Sequence, residues 1–341
     1  MAMKSVFIRG IVITLGLALA LGLAWWINRG EAPDSAPLAP VRLALPMRPA
    51  TAAAFIAADS GLYAREGLTV TLRDAPSGVA AMKMLLAGEA EIAFTAETPV
   101  ALAALRGDPI VVLASIYESL DHNQIIARRD RGIAAPADLA GKRLGYQPGT
   151  STAYFAAAYL LAHGIPDVRR VEQSLGPRDM SKELLEGRID AAVLVPPYNK
   201  QTAAALGTNG LVLRDPSLAP SVFCLVATRA WAEANPQAVR RLLAALIAAT
   251  GEIRAQPEAS LTALARIFKL EQAELRLTWD PGNLAVRLHP TLRGILEEQA
   301  RWALKYNLVP ATSSNERLEM ADLLWAEPLR SLDPAAVTLR R

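Results

Sequence analysis

Residues 10–28, "GIVITLGLALALGLAWWIN", form an uncharged apolar run behind Lys4 and Arg9. The run is too long for the apolar core of a secretory signal and matches a membrane-spanning helix. Trp25 and Trp26 stand where an interfacial aromatic belt is expected. With the positive flank held inside, the rest of the chain is expected outside the inner membrane. A retained anchor over 1–28 is favoured, although the small residues Ala18, Ala20 and Ala24 also permit signal cleavage. "RGEAPDSAPLAP", at 29–40, has no periodicity and reads as a linker.

From residue 41 the pattern alternates between short apolar strands and helix-period segments. "VRLALP", "LTVTLRDA", "EIAFTA" and "PIVVLASIY" read as strands. "TAAAFIAADSGLYAREG", "SGVAAMKMLLAG" and "TPVALAALRG" between them read as helices, capped by Thr51, Ser77 and Thr98. This alternation predicts an α/β fold with a parallel sheet. The pattern restarts after residue 121: "HNQIIARRD" is extended, a strand follows in "GKRLGYQ", and "TSTAYFAAAYLLAHG" is a helix. "SVFCLVATRAWA" is extended and returns the chain to the first lobe, and the remainder from about residue 236 is mostly helical, "NERLEMADLLWAEPL" included. The expected organisation is lobe 1 over 41–120, lobe 2 over 121–225, and the rest of lobe 1 with C-terminal helices over 226–341. The hinge is expected at 118–124 and 221–227.

One motif occurs twice. "LLAGEAEIAFTAETP" at 85–99 and "LLEGRIDAAVLVPPY" at 184–198 each run from paired leucines through glycine and an acidic residue to an apolar strand and a proline-containing tip. Ligands of open α/β sheets bind outside the carboxyl ends of the strands. The two tips therefore predict a cleft shared by two similar lobes.

Composition narrows the function by exclusion. The net charge is +3 with Lys and Arg interleaved among acids, so no basic stripe for nucleic acid is present. The single cysteine, Cys224, lies in an apolar run and reads as core. His122, His163 and His289 are too dispersed for a metal site, and no hydrolase, zinc-protease or nucleotide-loop motif occurs. No enzyme activity, no catalytic or metal-binding residue and no cofactor is expected.

"AADSGLYAREGLTVTL", "GVAAMKMLLAGEAEIAFTAETP", "PADLAGKRLGYQPGTST", "PRDMSKELLEGRIDAAVLVPPY" and "AEANPQAVRRLLAAL" together resemble the periplasmic substrate-binding proteins of the nitrate, sulfonate, taurine and thiamin-precursor group, the SsuA/THI5-like or NMT1-like receptors of ABC importers. The resemblance implies a two-lobe, type II-like binding fold that closes on a small anionic or zwitterionic solute. It also implies a permease and an ATPase on other chains, and a receptor that acts as a monomer. The alternative is a membrane-tethered ligand sensor or presenting receptor without transport. Helix starts bind anions through free N–H groups, which marks Gly149, Thr150, Ser151 and Thr152 in "PGTST" and Ser77 and Gly78 in "PSGVA". Arg48 suits an acidic group, Glu97 and Thr98 stand at the first tip, Tyr198 at the second, and Tyr117 near the hinge. Asp190 reads as structural.

Overall fold

The structure, a computed structural model, describes residues 40–165, 168–172, 175–311 and 319–339. The apolar run at 10–28 and the linker up to residue 39 lie outside the described residues. Among the described residues, no helix is long and apolar enough to cross a membrane.

Two sheets organise the fold. Strands β1 (Val41–Leu45), β2 (Val70–Asp74), β3 (Ile92–Ala96) and β4 (Ile110–Ser119) alternate with helices α1 (Ala52–Asp59), α2 (Leu62–Arg65), α3 (Gly78–Leu86) and α4 (Glu97–Leu105). The chain then crosses to β5 (Gln124–Arg128), β6 (Arg143–Tyr146), β7 (Arg169–Glu172), β8 (Ala191–Leu194) and β9 (Gly210–Leu213). Here the interleaved helices are α5 (Ser151–Ala162), α6 (Pro177–Leu185) and α7 (Tyr198–Leu206). It returns as β10 (Ser221–Thr228), and α8 (Arg229–Ala234), α9 (Pro236–Ala255), α10 (Pro257–Phe268) and α11 (Gln272–Arg276) follow. An edge strand β11 (Leu284–Arg287), α12 (Pro290–Lys305) and α13 (Glu327–Leu332) complete the first lobe. The sheet orders are β11-β4-β10-β3-β1-β2 and β7-β6-β8-β5-β9.

The sheets are mixed, where the alternation alone predicted parallel ones. β1 pairs parallel with β2 and β3, and β6 with β7 and β8. β10 runs antiparallel between β3 and β4, and β5 antiparallel between β8 and β9. The crossing strands enter from the opposite lobe through short connections, which reverses their direction. β10 lies wholly in the first sheet, so the chain has crossed back by Ser221, before the 221–227 stretch read as hinge. Two further expectations are corrected at the C-terminus. β11 interrupts the helical tail. The last segment is also not one helix: Leu324 forms a parallel bridge with Val112 and Trp325 N–H donates to the Val112 carbonyl at 3.0 Å. Sheet-edge groups thus take the backbone bonds a helix would have used.

The repeated motif folds twice into the same clamp. In the first lobe Arg42 opens β1 and donates from its backbone N–H to Glu91 Oε2 at 2.7 Å, while its Nη2 reaches Glu91 Oε1 at 2.6 Å and the Gly88 carbonyl at 2.9 Å. In the second lobe the Arg143 N–H donates to Asp190 Oδ2 at 2.8 Å, and its Nη2 reaches Asp190 Oδ1 at 2.7 Å and the Gly187 carbonyl at 3.1 Å. The acid thus holds the helix-ending glycine turn against β1 in one lobe and β6 in the other. Burial works to raise the Asp190 carboxyl, but the Arg143 bonds outweigh it and hold the group below its usual range. Asp190→Ala leaves the Arg143 N–H without its acceptor, and an unfolding midpoint in urea is expected to report a loss of about 2 kcal/mol.

Helix α12 ties the two lobes together behind the cleft. It packs on α4, Tyr154 Oη of α5 donates to Glu298 Oε1 at 2.6 Å, and Trp302 meets the Tyr154 ring edge-on at 5.4 Å while packing against the core of the second lobe.

Candidate functional site

Each parallel strand ends by delivering a helix start to the space between the lobes. β2 leads to α3, whose cap Ser77 accepts the Ala80 N–H at 3.2 Å. A Cβ on Gly78 would stand 2.6 Å from Thr95 Oγ1 and 3.3 Å from the Ala96 nitrogen, so only glycine lets this helix start press against the end of β3. On the facing side Thr150 caps α5: its Oγ1 accepts the Thr152 N–H at 3.2 Å and donates to the Gln147 carbonyl at 2.8 Å. Ser151 Oγ reaches Asn123 Oδ1 at 3.5 Å, and Asn123 Nδ2 donates to Ser221 at 2.6 Å, binding this helix start to both crossovers.

Between these two starts lies a narrow inner pocket of about 40 Å³. Arg48, Ser77, Gly78, Thr150, Ser151 and Thr152 line it, together with His122, Gln147, Val195 and Phe223. Arg48 also lines a second, wider chamber of about 640 Å³, the outer one, on which the exposed side chains Met47, Asp74, Arg178 and Lys182 also border. Asp74, Arg178, Lys182, Tyr198, Phe268 and Glu274 belong to that outer chamber.

Arg48 and His122 set the electrostatics. Nη2 of Arg48 donates to the Pro76 carbonyl at 3.0 Å, and Asp74 acts on the guanidinium through its charge without forming an ion pair with it. Its pKa is lowered, chiefly by burial. His122 is 2% exposed and its Nδ1 has no hydrogen-bond partner. Burial, reinforced by the Arg48 charge, pushes the imidazole down to about 3, so it is neutral at pH 7. It is held edge-on by Tyr117 at 5.5 Å and Phe223 at 5.2 Å. The arrangement offers one unpaired cation and one neutral, unsatisfied imidazole to whatever enters between two helix starts.

Several sequence expectations are placed elsewhere. Glu97 is not at the cleft surface: it is 1% exposed, Oε2 accepts the Val222 N–H at 2.8 Å and Oε1 accepts Gln299 Nε2 at 3.2 Å. Burial pushes this carboxyl up to about 7. The reason is its position as the first residue of α4, turned back against the returning strand β10. Thr98 is fully buried beside it. Tyr117 stands behind His122 and Phe223, with burial raising its phenol to about 12. Gly149 adopts φ +69° and faces Leu102 and the Trp302 side of α5. Tyr198 lies in the outer chamber, away from the helix starts that frame the inner pocket. His122, Gln147 and Phe223 were missed.

Residues 48–260 match the family described as NMT1/THI5 like. The chain belongs to the NMT1/THI5-like family. The match begins at Arg48 and includes both helix starts and both crossovers of the cleft. The chain is 28% identical to the taurine-binding periplasmic protein of Escherichia coli K12 over 220 residues, 62% of this chain and 66% of that protein, just under two thirds of its length. Its fold is similar to that of the alkanesulfonate-binding protein SsuA from Xanthomonas axonopodis pv. citri bound to MOPS, with a TM-score of 0.73, 19% identity, and coverage of 86% of this chain and 100% of that one. The desulfurization enzyme DSZB shares the fold at a TM-score of 0.64 and 19% identity, over 85% of this chain and 98% of that one. Family members of this architecture thus sit beside an enzyme, and the site rather than the fold carries the functional argument.

Proposed function

We propose that this chain is the periplasmic solute receptor of an ABC-type importer, binding a small organic anion with its acidic group in the inner pocket. The observation that carries the reading is the pairing of His122 with Arg48. A buried imidazole without a partner costs free energy unless a ligand supplies one, and an unpaired, partly buried guanidinium costs more. An acidic head group satisfies both, with Arg48 giving charge-assisted bonds and neutral His122 donating from one ring nitrogen. The starts of α3 and α5 add N–H groups, which favours a sulfonate or carboxylate. Ligand contacts are assigned to Arg48, Ser77, Gly78, Thr150, Ser151, Thr152 and, in the outer chamber, Tyr198. Glu97, Thr98, Tyr117 and Gly149 support the site without facing the solute. The taurine-binding relative argues for binding rather than catalysis, and Cys224, fully buried in β10 with its thiol pushed up by burial, offers no nucleophile to the cleft.

In this reading the lobes close over the solute by movement at the two crossovers, and the closed form engages a permease served by an ATPase. Export and attachment to the inner membrane rest on residues 10–28. The test is thermal unfolding of the chain from residue 40 onward against taurine, alkanesulfonates, aromatic carboxylates, nitrate and thiamin precursors. A saturable rise in midpoint with an organic anion, abolished by His122→Phe in a variant of unchanged far-ultraviolet spectrum, is expected. A rise retained in full by that variant overturns the assignment of the head group.

A further inference from the structure

The two chambers differ in volume by more than tenfold, about 40 against about 640 Å³, and Arg48 lines both. A cavity needs about 10–15 Å³ on this measure to hold one water, whereas pockets for drug-sized ligands run from about 300 to 1,000 Å³. The inner pocket therefore accommodates an acidic group and little more. A two-carbon solute anchored there would leave nearly all of the outer chamber to solvent.

The outer chamber offers apolar wall from both lobes among charged side chains. From the first lobe come Met47, Phe268 and Leu270, and from the second Leu185, Tyr198 and Ala205. Phe268 is fixed in place by an edge-on contact with Phe55 at 5.2 Å between centroids. Arg178 lies beside Tyr198, and a hydrogen bond with the phenol raises the guanidinium's pKa. The two lobes meet across the mouth through a hydrogen bond from Gln201 of α7 to Glu274 of α11. The charged side chains Arg48, Asp74, Arg178, Lys182 and Glu274 line the same chamber.

We infer that the outer chamber, formed around Tyr198 and Phe268, is a second subsite that selects organic anions carrying a ring-bearing body over short-chain ones. The inference rests on the reading of the inner pocket as the anion site. Tyr198 and Phe268 are contributed by opposite lobes, so a ring held between them adds contact only in the closed form and couples body size to closure. Each aromatic wall contributes both apolar area and a preferred ring geometry.

The experiment measures dissociation constants by calorimetry for two probes of equal charge, ethanesulfonate and naphthalene-2-sulfonate, on the parent and on Tyr198→Ala and Phe268→Ala. Naphthalene-2-sulfonate is expected to bind at least about tenfold more tightly than ethanesulfonate. Each substitution is expected to remove most of that advantage, read as the ratio of the two constants on the same variant. Tyr198→Phe, which keeps the ring, restores the advantage, and unchanged far-ultraviolet spectra of both alanine variants exclude damage to the fold. Equal affinities for the two probes, with both alanine variants neutral, overturn the outer subsite and leave the inner anion site standing. Failure of both probes, together with benzoate, to bind a folded parent overturns the anion site and the subsite with it.

Discussion

Glu97→Gln is expected to gain stability over the parent as pH rises, from near parity at pH 4.5 to about 3 kcal/mol at pH 8. The Glu97 carboxyl is buried and titrates at about 7 in the folded chain, against 4.5 as its reference value. A group raised in this way contributes stability that is fully present below 4.5 and is lost as pH climbs through 7, because the folded state holds the proton longer than the unfolded one. Glutamine has no such loss. It keeps an acceptor for the Val222 N–H, and its own amide can donate to Gln299 Oε1, a buried atom without a partner in the parent. His122 acts in the opposite sense. Lowered from 6.5 to about 3, it contributes stability that is present above 6.5 and lost as pH falls through 3. Between pH 4.5 and 6.5 the two slopes oppose each other in the parent, and Glu97→Gln exposes the His122 slope of about 1.4 kcal/mol per pH unit. Urea unfolding of both proteins at half-unit steps from pH 4.5 to 8 reads the difference. Parallel curves for parent and variant would show that Glu97 keeps its ordinary pKa.

Arg48→Met separates binding from folding. The guanidinium makes one hydrogen bond to a carbonyl, forms no ion pair and is penalised by burial, so removing it costs the unliganded protein little. The melting temperature without ligand is expected to stay the same or rise. The affinity for an organic anion is expected to fall by about 100-fold, the worth of a charge-assisted bond pair in a partly dry site. This is the usual exchange between stability and function at a binding site. Calorimetry with a sulfonate that stabilises the parent, set beside thermal unfolding without it, checks both halves. A variant that binds as tightly as the parent would remove Arg48 from the site.

Most of the architecture was legible because periodicity and punctuation agree along the chain. Glycines 88 and 187, at φ +73° in both, end the helices where the repeated motif placed them. The strands that follow, "EIAFTA" and "DAAVLVP", alternate with helices as a parallel core does. Strand direction at β10 and β5 was not legible, since an extended apolar segment reads the same either way and only its lobe of origin sets its sense. β11 was hidden by its four residues between Gly282 and Pro290, and by helices on both sides. At the site, the capping hydroxyls and glycines were readable because helix starts have a local signature. Glu97 misled because position beside a helix start does not reveal which way a side chain turns, and here a strand more than a hundred residues away supplies its partner. His122 gave no local signal: an unsatisfied imidazole is a property of the assembled pocket, created by Arg48, Phe223 and Tyr117 arriving from three separate stretches of the chain.

The pairing at the crossovers has a practical consequence for how the molecule could be rebuilt. Ser119 and Ser221 are rung partners in the first sheet, and Ile125 and Leu213 are rung partners in the second. The segment from 120 to 220 thus leaves and rejoins its host at a single doorway, with its two ends side by side at each threshold. It behaves topologically as a cassette. A tight turn could bridge Ser119 to Ser221 in its place, and a corresponding segment from another family member could be spliced in at the same two serines. The second lobe's share of the cleft lining would be exchanged without cutting a strand of the first sheet.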